Sequence, residues 1–496
     1  MPLRRRTGKR PEGDPRRRIF LWAVRFSLLA GLTNLGMPID AKLKIARNKI
    51  RAHDASGQIV MVGIDDRTLA ISNNWPWPRR HFAELNDRIS DAAPKGIYYD
   101  FDFSSGTNQD DDGRLAASFS RSKAPVILAT QMRADPRTSV QSYNLPLPAF
   151  RSGSSLAHIN IWYDSLGYSW RLPFDKMIDG QSVPSMSSRM ADRAGMREGD
   201  YPIDFALRIG SVPYVSGADI LAGKVNPARL SGRRIIVAPV SDRFEDIKRI
   251  PGQGYAAGAY FHVLGAETLM AGTPRDLHWS VFLALAAIAS AGAAFLRRAL
   301  ARAGAATAGV ALVLGGPVLL ETQLVFTEVA PALLLITIAT IGLAISAMRK
   351  RSASHNLISG LPNLNALKAA KVTTGAPLVA AKIKNFGEIT SALPGELERT
   401  VVEQIVARLK LGAEGGQVYQ GDDGIFAWFL EEQESGPIAD HIDALHAMFR
   451  APISVGGRSV DAVIAFGVDQ STERSVTNRL GSALVGAEEA AAEGLR

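Results

Sequence analysis

Apolar positions follow two rhythms along this chain. From His278 to Met348 they run almost unbroken: HWSVFLALAAIASAGAAFL, then RRALARAG, then AATAGVALVLGGPVLLETQLVFTEVAPALLLITIATIGLAISAM. A basic break at Arg297, Arg298 and Arg302 and a polar turn holding Glu321, Thr322, Gln323 and Glu328 divide the stretch into three runs. Each run approaches the ~20 residues a helix needs to cross ~30 Å of hydrocarbon. Pro317 and Pro331 stand near run ends, where a missing N–H costs least in lipid. Core helices of soluble proteins rarely run this long without a polar face, so the pattern predicts three membrane helices over 278–348. An earlier run, Ile19–Ile39, predicts an anchor helix, with Arg25 near one end able to reach the headgroups. The rival reading of this run, a signal peptide, lacks a convincing small-x-small cleavage site.

Between about 45 and 277 the rhythm shortens. IVMVGID (59–65), GIYYDFDF (96–103), APVILAT (124–130) and RRIIVAPV (233–240) read as buried strands, and HFAELNDRISDA (81–92) has helical spacing. Strands alternating with helices predict an α/β sheet that is at least partly parallel. After Arg349, Lys350 and Arg351, a further folded region spans 352–496.

Charge and composition refine this picture. Net charge is +9 over 496 residues. Residues 1–18 hold eight Arg or Lys against Glu12 and Asp14. A basic arm directly before an apolar run is explained by the positive-inside rule, so nucleic acid is not an expected partner. Applied to the clusters at 4–18, 297–302 and 349–351, the rule makes all three cytoplasmic with four crossings. The region 45–277 is then periplasmic. The absence of cysteine excludes disulfides, thiolate metal sites and cysteine nucleophiles. No Walker loop, Ser/His/Asp grouping or zinc spacing appears.

Several segments carry a family resemblance. IDDRTL (64–69), WPWPR (75–79), PKGIYYDFDFS (94–104), LPLPAF (145–150), LAHINIWYDSLGYSWRLPF (156–174), GADILAGK (217–224), GRRIIVAPVSDRFED (232–246) and AYFHVLGAETLMAG (259–272) resemble, in order, the extracytoplasmic sensor domain CHASE2. That family's usual frame is one membrane helix before the domain and about three after it. NLISGLPNLNAL (356–367), PLVAAKIKNFGEI (377–389), VYQGDDGIFAWFL (418–430) and VDAVIAFGV (460–468) resemble the framework of a GGDEF, or diguanylate cyclase, domain.

The GGDEF resemblance implies Mg²⁺ held by carboxylates against GTP phosphates. Carried over residue by residue, the first metal-binding aspartate falls on Lys382 and its companion acid on Lys384. The guanine-reading asparagine falls on Thr390, and its assisting aspartate falls near Arg399. The signature itself falls on Asp422, Asp423, Gly424, Ile425 and Phe426, with Gly424 and Ile425 at the two acidic positions. Sliding by one residue matches Asp423 to the signature aspartate but leaves Lys382 and Gly424 in place. AEGG (413–416) stands where an Arg-x-x-Asp inhibition site would be. The resemblance therefore implies a degenerate domain without catalytic residues, metal or cofactor.

In the sensor, Asp65, Asp66, Asp100 and Asp102 lie at the ends of two strands read as neighbours; Asp65, Asp100 and Asp102, with Trp77 in a rigid Trp-Pro-Trp-Pro turn, form a candidate ligand site at the sheet edge, the alternative being solvated strand-end acids and a locally packed aromatic turn. Asp110, Asp111 and Asp112 read as a solvated loop, and His158 and His262 as isolated core or surface histidines. The expected architecture is thus an α/β extracytoplasmic sensor domain, a helical transmembrane bundle and an α/β, nucleotidyl-cyclase-type cytoplasmic domain. Its order is a basic arm (1–18), anchor (19–39), CHASE2 domain (45–277), three membrane helices (278–348) and degenerate GGDEF domain (352–496). The expected partners are the lipid bilayer, a periplasmic ligand or protein, a second copy in a homodimer, and GTP or cyclic-di-GMP enzymes. The expected setting is the bacterial inner membrane. The competing readings are an active cyclase, a docking protein that only dimerises, and the regulatory half of a phosphodiesterase with an EAL domain beyond Arg496.

Overall fold

The run IVMVGI forms a strand, β1 (Ile59–Ile64), buried at all six positions. Its side chains alternate between two cores: Val60, Val62 and Ile64 enter one, and Ile59 and Met61 the other. A strand covered on both faces is apolar throughout, which is why the segment reads as a continuous run. The structure is a computed structural model that describes residues 14–493 except 73–75, 135–140, 196–198, 245, 357–358, 371–375, 393–394, 413–415, 431–436 and 456. The basic residues up to Arg10, Trp75 and most of AEGG lie outside the described residues. The chain divides into two units, 1–340 and 341–496.

The sheet of the first unit also contains β2 (Gly96–Tyr99), β3 (Val126–Ala134), β4 (Gln141–Asn144), β5 (Ser155–His158), β6 (Tyr214–Ser216) and β7 (Arg234–Pro239). Its order is β6-β1-β7-β2-β3-β4, with β5 also paired to β3. Every pairing is parallel except β3 with β4. The segments read as neighbouring strands, β1 and β2, are not neighbours. The chain returns late to insert β7 between them, in full register with both. On one face lie α4 (Arg79–Asp91) and α5 (Gln109–Arg121), which enclose an aromatic core of Trp77, Phe82, Tyr99, Phe103, Phe119 and Phe150. On the other lie α6 (Met186–Met190) and α7 (Ala259–Ala271). The acidic run 110–112 is not a loop: it forms the first turn of α5, capped by Asn108, where carboxylates meet the positive helix end.

The apolar runs give a different helix count from the expected four. The anchor expected over 19–39 is two helices, α1 (Pro15–Leu32) and α2 (Met37–Ile50), bent by 80°. The first run after the sensor makes α8 (Ser280–Phe295), whose 16 residues reach about 24 Å, short of a full span. Among the described residues, two helices are long and apolar enough to cross a membrane: α9 (Ala299–Glu321) and the 330–351 part of α10 (Ala330–Ser354). A third crossing arises if the bent pair counts as one. The expected polar turn at 321–328 contains a strand, β9 (Val325–Thr327), paired in parallel with β8 (Arg275–Leu277) at the end of the sensor.

A buried ionic cluster joins these parts. Arg47 donates from Nε to Glu321 at 2.8 Å, and Arg51 donates to Glu321 at 3.2 Å and to Asp204 at 3.0 Å. Arg47, Glu321 and Asp204 are 4%, 2% and 6% exposed, and two cations face two carboxylates. Asp204 also meets His53 and accepts from the Ala206 N–H. Burial pushes the Asp204 carboxyl up, but these bonds outweigh it and hold the pKa below the usual range. Nearby, Asp40 on α2 accepts from the N–H groups of Val329 and Ala330 at the start of α10. The helix α2 is thus fastened at once to the sensor and to the turn between α9 and α10. Removing one member of a desolvated cluster strands the others as uncompensated charge. Glu321→Ala should therefore lower stability by about 3–5 kcal/mol, read by thermal unfolding of the full chain in detergent. A loss within the range of an exposed surface pair would show that the cluster is solvated.

The second unit has a sheet of β10 (Leu378–Ile383), β11 (Tyr419–Gln420), β12 (Ile425–Phe429) and β13 (Ile464–Asp469). Its order is β11-β12-β10-β13, and all pairings are antiparallel. α12 (Gly395–Gly412) supplies Val401, Val402, Ile405 and Leu409 to the core. α13 (Val476–Ala492) packs directly on β13, where Gly467 leaves no room for a Cβ beside the Ala483 carbonyl.

Candidate functional site

A cavity of about 400 Å³ opens outside the carboxyl ends of β2, β3, β5 and β7, the usual place for a ligand in a parallel sheet. The first residue after β2 is Asp100. Its N–H donates to the Val237 carbonyl, which continues the β2–β7 register one step past the strand. Its side chain lines the cavity at 8% exposure, and among the described residues no hydrogen bond reaches its carboxylate. Burial, reinforced by the nearby Asp246 and opposed by Lys248, pushes its pKa up to about 7. Asp102 also lines the cavity but is satisfied, accepting from Ser104 N at 2.8 Å and Asn144 Nδ2 at 3.1 Å.

Asp246 comes from the segment after β7 and pairs with Lys248 at 3.3 Å. Its carboxylate sits against the N-terminus of α7, a position open because residue 258 is glycine. A Cβ there would lie 2.6 Å from Asp246 Oδ2. One turn along α7, His262 lines the same cavity while 2% exposed. Its Nδ1 has no hydrogen-bond partner among the described residues, and burial lowers its pKa to about 4, so the ring is neutral. Tyr163, Phe101, Phe244, Ile159 and Ile161 complete much of the apolar wall.

The four sensor residues singled out from the sequence therefore do not form one site. Asp100 and Asp102 share the cavity. Asp65 instead caps α3 (Asp66–Leu69) and accepts from Tyr214, Ser216 and Thr68. These bonds outweigh burial and hold its pKa below the usual range. Trp77 is 1% exposed in the aromatic core, edge-on to Phe82 at 4.8 Å. Asp65 is separated from Asp100 because β7 lies between their strands. Asp246, Lys248 and His262 were not legible as site residues, since they arrive from later elements with no spacing signal that ties them to Asp100.

In the second unit, Asp422, Asp423, Gly424 and Ile425 form the turn joining β11 to β12. The Ile425 N–H donates to the Asp422 carbonyl, and φ is +50° at Asp423 and +73° at Gly424. Positive φ at both central residues defines a two-residue I′ hairpin, for which Asp-Gly is a favoured pair. A Cβ at Gly424 would lie 2.5 Å from Phe386 Cβ. Phe426 is core. Lys382 pairs with Ile425 across the sheet and forms a 3.5 Å ion pair with Glu488 of α13. Lys384 donates to the Ala491 carbonyl. Thr390 Oγ1 bonds back to its own helix, and Arg399 pairs with Glu403 one turn away. Among the described residues, no three His, Asp or Glu side chains are grouped to hold a metal, and an ammonium at Lys382 does not fit a cation site.

Comparison with known proteins gives one family match. The model described as CHASE2 domain matches residues 21–296, from within α1 to just past α8. No curated protein matches the chain. Among solved structures, a diguanylate cyclase/phosphodiesterase from Caldicellulosiruptor saccharolyticus is 20% identical, covering 29% of this chain and 90% of that one, at a TM-score of 0.26. The FimX GGDEF domain from Pseudomonas aeruginosa is 20% identical, covering 28% and 95%, at 0.24. A sensory box/GGDEF family protein from Caulobacter crescentus is 16% identical, covering 29% and 100%, at 0.25.

Asp100 generates a linked pH dependence. Its folded pKa lies above its unfolded value, so the unfolded chain releases this proton first as pH rises. Its contribution to stability then falls from about pH 4 to about pH 7 and stays lost above. Asp100→Asn removes the titration. The variant should be more stable than the parent at pH 8 by on the order of 4 kcal/mol, with no such advantage at pH 4. Thermal melts at the two pH values check this. A destabilised variant at pH 8 would make Asp100 a structural acid.

Proposed function

We infer, because this chain belongs to the CHASE2 domain family, that it is a membrane sensory protein of cyclic-di-GMP signalling. In this reading the 45–277 region is a periplasmic sensor, 278–348 crosses the inner membrane, and 352–496 is a catalytically degenerate GGDEF domain acting as a relay. The observation that carries the reading is a bonded path through the first unit. Gly258 and His262, at the start of α7, border the cavity. Toward the end of the same helix, Thr268 Oγ1 accepts from the Asp204 N–H. Asp204 is bound to Arg51, and Arg51 to Glu321 at the end of α9. A ligand that favours one of two arrangements of α7 would thereby shift the membrane helices as well. It can do so only by as much as its affinity differs between them.

The degenerate reading rests on Lys382 and Gly424. At the position that resembles a metal-binding aspartate stands an ammonium already paired with Glu488. At a signature acid stands a glycine that both the hairpin φ and the contact with Phe386 require. A phosphoryl-transfer site with its cations missing leaves developing charge uncompensated, at a cost of several kcal/mol. Restoring one acid would repair one defect, and at 424 it would also strain the turn.

Two outcomes are expected. Alkaline phosphatase should be inactive when fused after Arg351 and active when fused near Ser56, because the positive-inside reading of the basic clusters takes the short α8 as a fourth crossing that returns the chain to the cytoplasm at 297–302. Strong activity after Arg351 would overturn the topology. Full-length protein given GTP with Mg²⁺ or Mn²⁺ should form no cyclic-di-GMP, and Lys382→Asp should not restore it. Product at a rate within about tenfold of an intact cyclase (one order of magnitude, or about 1.4 kcal/mol) would make this an enzyme.

A further inference from the structure

The cavity on the sensor sheet carries a specific chemical signature. Its described charged groups are three carboxylates, Asp100, Asp102 and Asp246, against the single ammonium of Lys248. Asp246 has Lys248 and Asp102 has Asn144 and Ser104, so both are already engaged. Asp100 is nine-tenths buried and has no bonded partner among the described residues, and His262 Nδ1 is buried and unpartnered in the same wall. Leaving such groups unpaired costs free energy unless something else supplies the partner. Apart from Gln131 and Asn144, the rest of the wall is aromatic and aliphatic, and its rings can face a cation. The absence of three grouped metal-ligating side chains among the described residues argues against a bare metal ion. The volume suits a molecule of small-metabolite size.

We propose that this cavity binds a small organic amine, whose ammonium pairs with Asp100 and whose carbon skeleton lies against Phe101, Phe244 and Ile161. The assignment rests on the sensor reading above and names the ligand class for it. His262 is neutral, so one ring nitrogen is free to accept from the ammonium. The described titratable groups facing Asp100 are Asp102, Asp246, Lys248, His262 and Tyr163. Burial holds the Tyr163 phenol up at about 12, so neither it nor His262 changes charge between pH 6 and 8. Asp100 itself titrates in that window. Binding then tightens as pH rises through 7, because the carboxylate is formed without the ligand having to expel its proton.

The test uses the full chain in nanodiscs with three isosteric probes: 2-phenylethylamine, 2-phenylethanol and phenylacetate. Calorimetry should show saturable binding of the amine alone. Its affinity should rise about tenfold from pH 6 to 8, the change in the ionised fraction of a group titrating near 7. Asp100→Asn should weaken it at least about tenfold, the loss of one charged contact, and a retained thermal transition would show that the variant is folded. Gly258→Ala, which pushes on Asp246 and leaves Asp100 in place, should bind the amine with a smaller loss. Equal binding of the alcohol, undiminished amine binding in Asp100→Asn, or no binding of any probe overturns the proposal. Phenylacetate binding that Lys248→Met abolishes also overturns it while leaving the cavity a ligand site. Hydrogen exchange separates the two readings. Amine binding that leaves exchange at residues 40–51 unchanged supports the ligand class and defeats the sensor reading.

Discussion

Four charges buried where α2 meets the sensor and the end of α9 govern how the first unit is held together. Taking Arg47, Arg51, Glu321 and Asp204 out of water costs several kcal/mol per ion. The cost is offset only if every member finds its partners. They do: Glu321 takes both guanidinium groups, Arg51 bridges to Asp204, and the remaining donors reach Asn48 and the carbonyls of Thr327 and Glu321. An apolar cluster of the same volume could be as stable, but it would not depend on register in the same way. The ionic cluster is satisfied in one arrangement, so a shift of α2 or α9 by a helical turn breaks several bonds together.

The cavity illustrates the opposite arrangement. Around Asp100 the fold leaves a carboxylate desolvated, near a second one and without a hydrogen bond among the described residues, which lowers stability at neutral pH. Neighbouring acids show that this is not forced by their place at strand ends. Asp65 follows a strand of the same sheet and is fully bonded. The contrast sets Asp100 apart as a group poised for a partner, and Gly258 extends the design by letting Asp246 approach the helix N-terminus without capturing Asp100. Local instability of this kind is commonly retained where binding needs it.

In the second unit the positions singled out by the GGDEF resemblance make contacts within the fold. Lys382 and Lys384 tie β10 and the residue after it to α13, Thr390 closes its own helix, and Asp423-Gly424 supplies the positive φ values of a tight hairpin. The two lysine contacts hold the last helix on the sheet.

Local pattern alone located most of the elements. β1, β2, β3 and β7, the helix after Trp77 and the long apolar helices are written in runs whose period matches their burial, because periodicity is a property of neighbours in sequence. The same signal could not measure the 80° break between α1 and α2, which depends on a positive φ at Asn34 and on packing against later helices. Nor could it show that α8 stops after 16 residues. Sequence also marked Asp100 and Asp102 as acids at a strand end, and Lys382 and Gly424 as misfits to a cyclase pattern. Only tertiary structure decided which acids meet. Strand order parted Asp65 from Asp100, and long-range packing brought Asp246, Lys248 and His262 to the cavity from 146, 148 and 162 residues away. It likewise joined Arg47 to Glu321 across 274 positions. Such meetings are set by strand order and long-range packing, which no local window of the chain contains.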